Sequence, residues 1–333
     1  MHLFVTGGTG FFGKALLRHW SAGGAPELAG ARFTLLSRDP ARFRSAHGDL
    51  LAGLDVRLVA GDIQRPETLP KGDYTHVLHA ATDSTTGLSL TPLQRFNQIV
   101  DGTRHVLDLA LRCGKPRVLL TSSGGVYGSI AQFPEGVPED HHGMPDPLEP
   151  QNAYSVAKRQ AEHLCALYHD AHGLETVVAR CFAFVGEDLP LDAHFAIGNF
   201  IRDALAGRDI VIQGDGTPVR SYLDQRDLAR WLSTLLLSGR AQRAYNVGSG
   251  EAVSIAELAA KVAALAPGRR PEVRVMKQAE AGQSARRNFY LPDVRRARDE
   301  LGLRVEVDLA AAIRDVFRAK VDSGLDGRTG ENT

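Results

Sequence analysis

The chain opens with a short apolar run, His2–Thr6, that ends in Gly7-Gly8-Thr9-Gly10-Phe11-Phe12-Gly13 and passes directly into an amphipathic stretch over residues 10–21, with Phe12, Leu16 and Leu17 on one side. This order of strand, glycine loop and helix constrains the fold more than any other feature. Gly7, Gly10 and Gly13 let the backbone turn tightly and approach a ligand closely, while the helix start offers N–H groups and the positive end of the helix dipole. In that context the loop reads as a cradle for a dinucleotide pyrophosphate rather than a plain glycine-rich turn, and Thr9, Phe11 and Phe12 belong to it.

The same rhythm continues. Residues 32–37, 56–60, 75–81, 117–122 and 176–182 read as strands, and residues 92–113 and 153–172 as long helices. Strands alternating with helices at this spacing predict an α/β, Rossmann-type, doubly wound parallel sheet with ligands at the strand C-terminal ends. Residues 1–180 are expected to form the NAD(P)-binding domain. Residues 181–320 are expected to form mostly a smaller C-terminal α+β substrate lobe, with part of 220–250 packing on the first domain and a frayed tail over 322–333. Within the lobe, 189–200 reads as irregular, 227–238 as a helix and 245–249 as a strand. Residues 254–266 read as a helix, with Ser254 and Glu257 forming a capping box.

Strand ends carry the chemistry. The second strand ends in Ser37-Arg38, with Arg42 a turn later, where an acidic residue would bind the adenosine ribose hydroxyls. A hydroxyl and a guanidinium suit a 2′-phosphate, so NADP(H) is favoured, with NAD(H) the alternative through Asp39. Asp62 and Ile63 stand where an adenine would lie. Ala80, Ala81 and Thr82 are small enough for backbone to pass close to a cofactor, and Thr82 and Ser84 offer hydroxyls to a substrate. Ser123, at the end of the fifth strand, points into the crevice. Tyr154 and Lys158 are four apart on one helix face. An ammonium beside a phenol is expected to lower its pKa from about 10. The phenol then exchanges a proton with a hydroxyl or carbonyl while hydride moves to or from the cofactor.

Composition removes other classes. Among 333 residues, Lys+Arg and Asp+Glu are both 39, and the zero net charge argues against nucleic-acid binding through bulk electrostatics. Cys113, Cys165 and Cys181 are odd in number and lack metal-ligand spacing, and His141-His142 reads as a solvated pair, so no metal is expected. No apolar run reaches membrane-spanning length, and a strand beginning at His2 leaves no room for a signal peptide, so the expectation is a cytoplasmic protein.

Taken together, these residues resemble the extended short-chain dehydrogenases/reductases, in the nucleotide-sugar epimerase/dehydratase branch. The likeness runs from Gly7 to about Leu303. It rests on the glycine loop, Gly61-Asp62-Ile63, His79-Ala80-Ala81, Thr121-Ser122-Ser123-Gly124-Gly125-Val126-Tyr127-Gly128 and the Tyr154/Lys158 pair. Further on it includes Gly214-Asp215-Gly216 with Arg220-Ser221-Tyr222, and Tyr290-Leu291-Pro292-Asp293. The resemblance implies that Tyr154 is the acid/base, that Lys158 binds the nicotinamide ribose and lowers the Tyr154 pKa, and that Ser123 bonds the reacting sugar oxygen. It implies that Asp62 and Ile63 hold adenine and that Asn199 and Arg220 contact the nucleoside-diphosphate end, with Arg286 or Arg287 as a second arginine. It also suggests a homodimer through the helices over 92–113 and 153–172.

Departures from the family pattern narrow the reaction. The 4,6-dehydratases place an acid pair after the catalytic hydroxyl and the decarboxylases a glutamate, whereas this chain has Gly124 and Gly125. Ala183 and Ile99 stand where many members carry asparagine. The leading expectation is an NADPH-dependent reductase of a nucleoside-diphosphate 4-keto-6-deoxysugar. A 4-epimerase with captive cofactor is the runner-up, followed by a dehydratase or decarboxylase. A cofactor-sensing binding protein is the non-enzyme alternative.

Overall fold

The computed structural model describes residues 1–82, 90–193, 195–277 and 288–324. Six parallel strands form the frame: β1 (His2–Thr6), β2 (Arg32–Ser37), β3 (Asp55–Ala60), β4 (His76–His79), β5 (Arg117–Ser123) and β6 (Thr176–Cys181). Short strands follow: β7 (Phe184–Val185), β8 (Ile210–Ile212), β9 (Val219–Arg220) and β10 (Leu223–Asp224). Then β11 (Arg243–Val247) returns to the large sheet, parallel to β6. The sheet order is therefore β11-β6-β5-β4-β1-β2-β3. The chain steps from β1 to one side and later to the other through β4. That reversal opens a crevice at the C-terminal ends of β1 and β4.

Helices cover both faces. On one side α1 (Phe11–Ser21) packs with α6 (Gln225–Ser238), joining Leu16, Leu17 and Trp20 to Leu228, Trp231 and Leu235 in one buried cluster. Trp20 stacks on Phe33 with ring centroids 4.7 Å apart and donates its indole N–H to Ser233 Oγ at 3.0 Å. After α2 (Pro40–His47), the long helices α3 (Pro92–Arg112) and α4 (Ala153–His172) cover the other face through Ile99, Val106, Leu107, Ala157, Ala161 and Cys165. Helix α3 starts with a capping box between Thr91 and Gln94.

A second core gathers α5 (Ala196–Leu205), α7 (Ile255–Leu265) and α9 (Leu309–Asp322). The capping box expected at Ser254 and Glu257 is present. Two short strands, β12 (Val253–Ser254) and β14 (Phe289–Tyr290), flank β9, while β13 (Val273–Val275) pairs with β8 and α8 (Arg295–Leu301) precedes α9.

Two expectations need correction. Residues 189–200 are not irregular throughout. Helix α5 begins at Ala196, with Ile197, Phe200, Ile201 and Ala204 buried at helical spacing. Gly198 lowers the helix propensity of that stretch, yet it suits this position, because a Cβ there would stand 3.0 Å from the Pro190 carbonyl oxygen. The strand expected over 245–249 instead runs from Arg243 to Val247, and it is the seventh strand of the large sheet.

At the crevice, β4 ends at His79, two residues before the expected boundary. The Ala80 N–H bonds the Thr6 carbonyl and the Ala81 N–H bonds Thr6 Oγ1, so the chain leaves the sheet there. Gly7 sits at φ +75°, and a Cβ would lie 2.6 Å from the Ala80 carbonyl carbon, so only glycine fits. His79 is buried, with Nδ1 2.7 Å from Thr6 Oγ1 and Nε2 3.2 Å from Thr103 Oγ1. Burial, with a smaller contribution from the Lys158 charge, pushes its pKa down to about 3. The unfolded chain protonates this imidazole near pH 6.5 and the folded chain does not, so stability should fall as pH drops from about 6.5 towards 3. In an imidazole NMR titration, His79 should remain neutral at pH 5; a midpoint near 6.5 would refute this.

Candidate active site

The cradle is built by the first loop. Gly10 caps α1 without any side-chain hydrogen bond, and no acidic residue occupies the first helical turn. A Cβ on Gly13 would lie 2.1 Å from the Gly8 carbonyl carbon, so the loop closes tightly on the helix. An open helix start free of negative charge fits a dinucleotide pyrophosphate. The Phe12 ring meets Phe184 edge-on at 5.2 Å, and Phe11 tilts against the same ring at 6.5 Å. What these two residues offer a ligand is therefore backbone N–H, alongside the half-buried Thr9.

At the end of β2, Ser37 Oγ accepts the Asp39 N–H at 3.2 Å. Asp39 Oδ1 in turn accepts the Arg42 N–H at 2.9 Å, making Asp39 the N-cap of α2. Arg38 is exposed. The acid that could serve a ribose thus has one oxygen committed to a helix. Asp62 Oδ1 accepts the Gln64 N–H at 2.9 Å. Ile63 is buried, and a Cβ on Gly102 of α3 would lie 2.4 Å from its Cδ1.

Ser123, Tyr154 and Lys158 converge at the end of β5. Ser123 Oγ accepts the Gly125 N–H at 3.1 Å, which leaves its own proton for donation. It lies 3.5 Å from the hydroxyl of Tyr290, a residue quoted in the family motif but given no role from sequence. Burial, followed by proximity to Tyr290, pushes the Tyr154 phenol pKa well above its ordinary value, and the hydrogen bond with Ser123 only partly opposes this. Lys158 Nζ donates to the Thr121 carbonyl and to Thr82 Oγ1, each at 2.8 Å, and stands 5.9 Å from the Tyr154 ring centroid. Burial pushes its pKa down to about 8. This departs from the electrostatic expectation from spacing: burial and Tyr290 outweigh the groups that favour the phenolate, the Ser123 hydrogen bond and Arg95, and the phenol is held protonated.

Arg220 lies over the Tyr290 ring at 5.7 Å and donates to the carbonyls of Val219 and Asn288, and burial lowers its pKa. Asn199 sits on α5, where its Oδ1 accepts from Arg202. Ser84, Arg286 and Arg287 lie outside the described residues.

Behind the site runs a polar network that the motif reading missed. Arg180 on β6 pairs with Glu162 on α4 at 2.8 Å and also donates to Tyr127 Oη and the Glu139 carbonyl. Glu162 accepts the Ser122 hydroxyl at 2.5 Å. Tyr127 donates to Asn246 Oδ1 at 2.7 Å, and the Asn246 N–H donates to Glu139 Oε1. The available signal was a lone arginine in an otherwise apolar strand, Thr176–Cys181. The space after Ser123 is filled. A Cβ on Gly124 would lie 2.7 Å from the Phe182 ring, and one on Gly125 would lie 2.4 Å from Ser155 Oγ.

A doubly wound sheet with an uncapped glycine cradle, and a serine, tyrosine and lysine gathered at its strand ends, is built for NAD(P)-dependent chemistry on a hydroxyl or carbonyl. The chain belongs to the NAD dependent epimerase/dehydratase family, whose model matches residues 3–248. Among curated proteins it is 30% identical to a dTDP-glucose 4,6-dehydratase of Streptomyces griseus over 326 residues, covering 93% of this chain and 90% of that protein. It is 29% identical to UDP-glucuronic acid decarboxylase 6 of Arabidopsis thaliana, covering 93% and 85%. Among solved structures it is similar to DesIV, a dTDP-glucose 4,6-dehydratase of Streptomyces venezuelae with NAD and TYD bound. That match has 26% identity, a TM-score of 0.82 and coverage of 97% of each chain. Among the described residues, no helix is long and apolar enough to cross a membrane.

Replacing Arg180 by methionine should strand Glu162 without its cation and lower stability by up to about 3 kcal/mol, less than breaking a fully buried pair because both side chains keep some solvent contact. The double variant with Glu162→Gln should recover much of that loss in urea unfolding. Equal losses in the single and double variants would mean the pair carries no such coupling.

Proposed function

We propose that this protein transfers hydride to C4 of a nucleoside-diphosphate 4-keto-6-deoxysugar, acting as an NADPH-dependent reductase. The observation that carries this reading is the filled space after Ser123. Elimination and decarboxylation in the wider family rely on an acid at the positions held here by Gly124 and Gly125, neither of which can transfer a proton, and a Cβ at either would press on the side chain of Phe182 or Ser155. The relatives named dehydratase and decarboxylase share the frame, and the two glycines support reading this chain as differing from them in reaction.

When bound, the nicotinamide supplies the hydride. The residues supply the rest. Tyr154, held protonated by burial, begins in the form that carbonyl reduction needs and gives its proton to the sugar oxygen. Ser123, already accepting the Gly125 N–H, donates a hydrogen bond to that same oxygen, keeping its own proton, and steadies developing negative charge. Lys158 holds the nicotinamide ribose, and Arg220 offers a planar fork to the substrate pyrophosphate. The preference for NADP(H) is supported by Arg38 together with the commitment of Asp39 to the start of α2. Exposed Leu93 on α3 and Leu167 on α4 support pairing of two copies through these helices.

NADPH absorbance should fall steadily when the protein meets the correct 4-keto-6-deoxysugar nucleotide. Tyr154→Phe should reduce kcat by at least about 100-fold, a typical contribution of a positioned acid, while NADPH binding is retained. Sugar inverted at C4 without net NADPH loss would favour the 4-epimerase instead. Release of a 4-keto-6-deoxysugar from a nucleoside-diphosphate hexose without added cofactor would sink the reductase reading. In binding titrations NADPH should bind more tightly than NADH, and Arg38→Ala should narrow the gap; a wild-type preference for NADH would refute the cofactor assignment.

A further inference from the structure

Lys158 is only 3% exposed, yet among the described residues no carboxylate lies within ion-pair distance of its ammonium. An ammonium has three N–H donors. One goes to the Thr121 carbonyl on β5, a backbone group no substitution removes, and one to Thr82 Oγ1, both at 2.8 Å. Thr82 is itself placed by the sheet, because Thr6 holds the N–H groups of Ala80 and Ala81 immediately before it. The charged and titratable groups around Lys158 complete its setting. Tyr154 and Glu162 share its helix, His79 faces it from β4 and Cys181 from β6. His79 is neutral, Cys181 is a thiol pushed up to about 12, and Glu162 is engaged by Arg180. Neutral oxygens thus provide the direct support for this buried charge.

We propose that Thr82 is a positioning residue that acts through Lys158, its hydroxyl fixing the ammonium against β5 so that one remaining N–H meets a ribose hydroxyl of the cofactor. The cofactor half of this inference rests on the reading above, in which Lys158 holds the nicotinamide ribose. The hydroxyl is the replaceable half of the support. A hydrogen bond to a charged group favours the charged form, and losing it should lower the Lys158 pKa by about one unit.

The test uses cofactor-free protein with isotopically labelled lysine, following the Lys158 titration by NMR. Wild type should titrate near 8. Thr82→Val should titrate about one unit lower, and Thr82→Ser, which restores a hydroxyl, should return to the wild-type value. NADPH affinity, measured by fluorescence, should weaken about tenfold in Thr82→Val and recover in Thr82→Ser, and the unfolding midpoint near neutral pH should fall in Thr82→Val and recover in Thr82→Ser, as linkage to a lowered Lys158 pKa requires. Thr82→Ala provides the same deletion if the valine variant does not fold. An unchanged Lys158 titration in the hydroxyl-deleted variant overturns the proposal, whatever happens to turnover. A shifted titration with unchanged NADPH affinity overturns its cofactor half. Failure of the wild type to reduce any sugar nucleotide would count against the proposed reaction alone, because the Lys158 titration and NADPH affinity are read without substrate.

Discussion

The interaction on which the site depends is the buried pair of Arg180 and Glu162. Tyr154 and Lys158 ride on α4, while Ser123 sits at the end of β5, and the Lys158 bond to the Thr121 carbonyl is one tie between the two elements. Glu162 lies two turns beyond Tyr154 on the same helix and takes hydrogen bonds both from Arg180 on β6 and from Ser122, the residue before Ser123. Helix and strand end are thus tied at one carboxylate. Burying such charges is costly unless the geometry is good and the remaining donors are satisfied. Here the guanidinium also reaches Tyr127 and the Glu139 carbonyl, and Asn246 on β11 links those two residues again. The network therefore extends from α4 to β11 at the edge of the sheet.

Much of this was legible in the sequence where the signal is local. The strands His2–Thr6 and Arg32–Ser37 and the helix Ala153–His172 are bounded in the fold as the apolar pattern predicts. The glycine loop is a short-range pattern, and the Tyr154/Lys158 spacing is another that gains weight only beside that loop and Ser123. What was not legible is long-range. Tyr290 reaches Ser123 across 167 positions, and no periodicity announces such a meeting. Helix α5 was hidden by a glycine that serves close packing. Strand β11 begins with Arg243, whose partner Glu300 lies 57 residues on, so its first residue reads as surface. The pKa expectation for Tyr154 failed for a related reason. Spacing reveals a neighbouring charge but not the burial that outweighs it.

The reaction assignment turns on what fills space. Glycine at 124 is not merely an absent acid, because Phe182 from β6's end occupies the volume that a side chain would need. Phe182 also packs on Tyr290, with ring centroids 4.8 Å apart, and Tyr290 lies under Arg220. The glycine at 124 therefore sits against an aromatic wall of Phe182 and Tyr290 that extends to Arg220.

Burial moves the two central groups in opposite directions, and this gives the site its direction. The phenol is pushed up and the ammonium down to about 8, so burial favours the neutral form of both. A low-polarity crevice favours a neutral acid that can donate, and it strengthens every hydrogen bond made there. In the proposed reduction, Tyr154 would start protonated and end as phenolate. That phenolate would form beside an ammonium whose nearest supports are the neutral oxygens of Thr82 and Thr121. An attraction too weak to ionise the phenol at rest becomes strongest at the moment the proton has left, because only then do both partners carry charge. The same burial that contradicts the simple expectation of a lowered tyrosine pKa thus places the stabilisation on the reacting state rather than on the resting one.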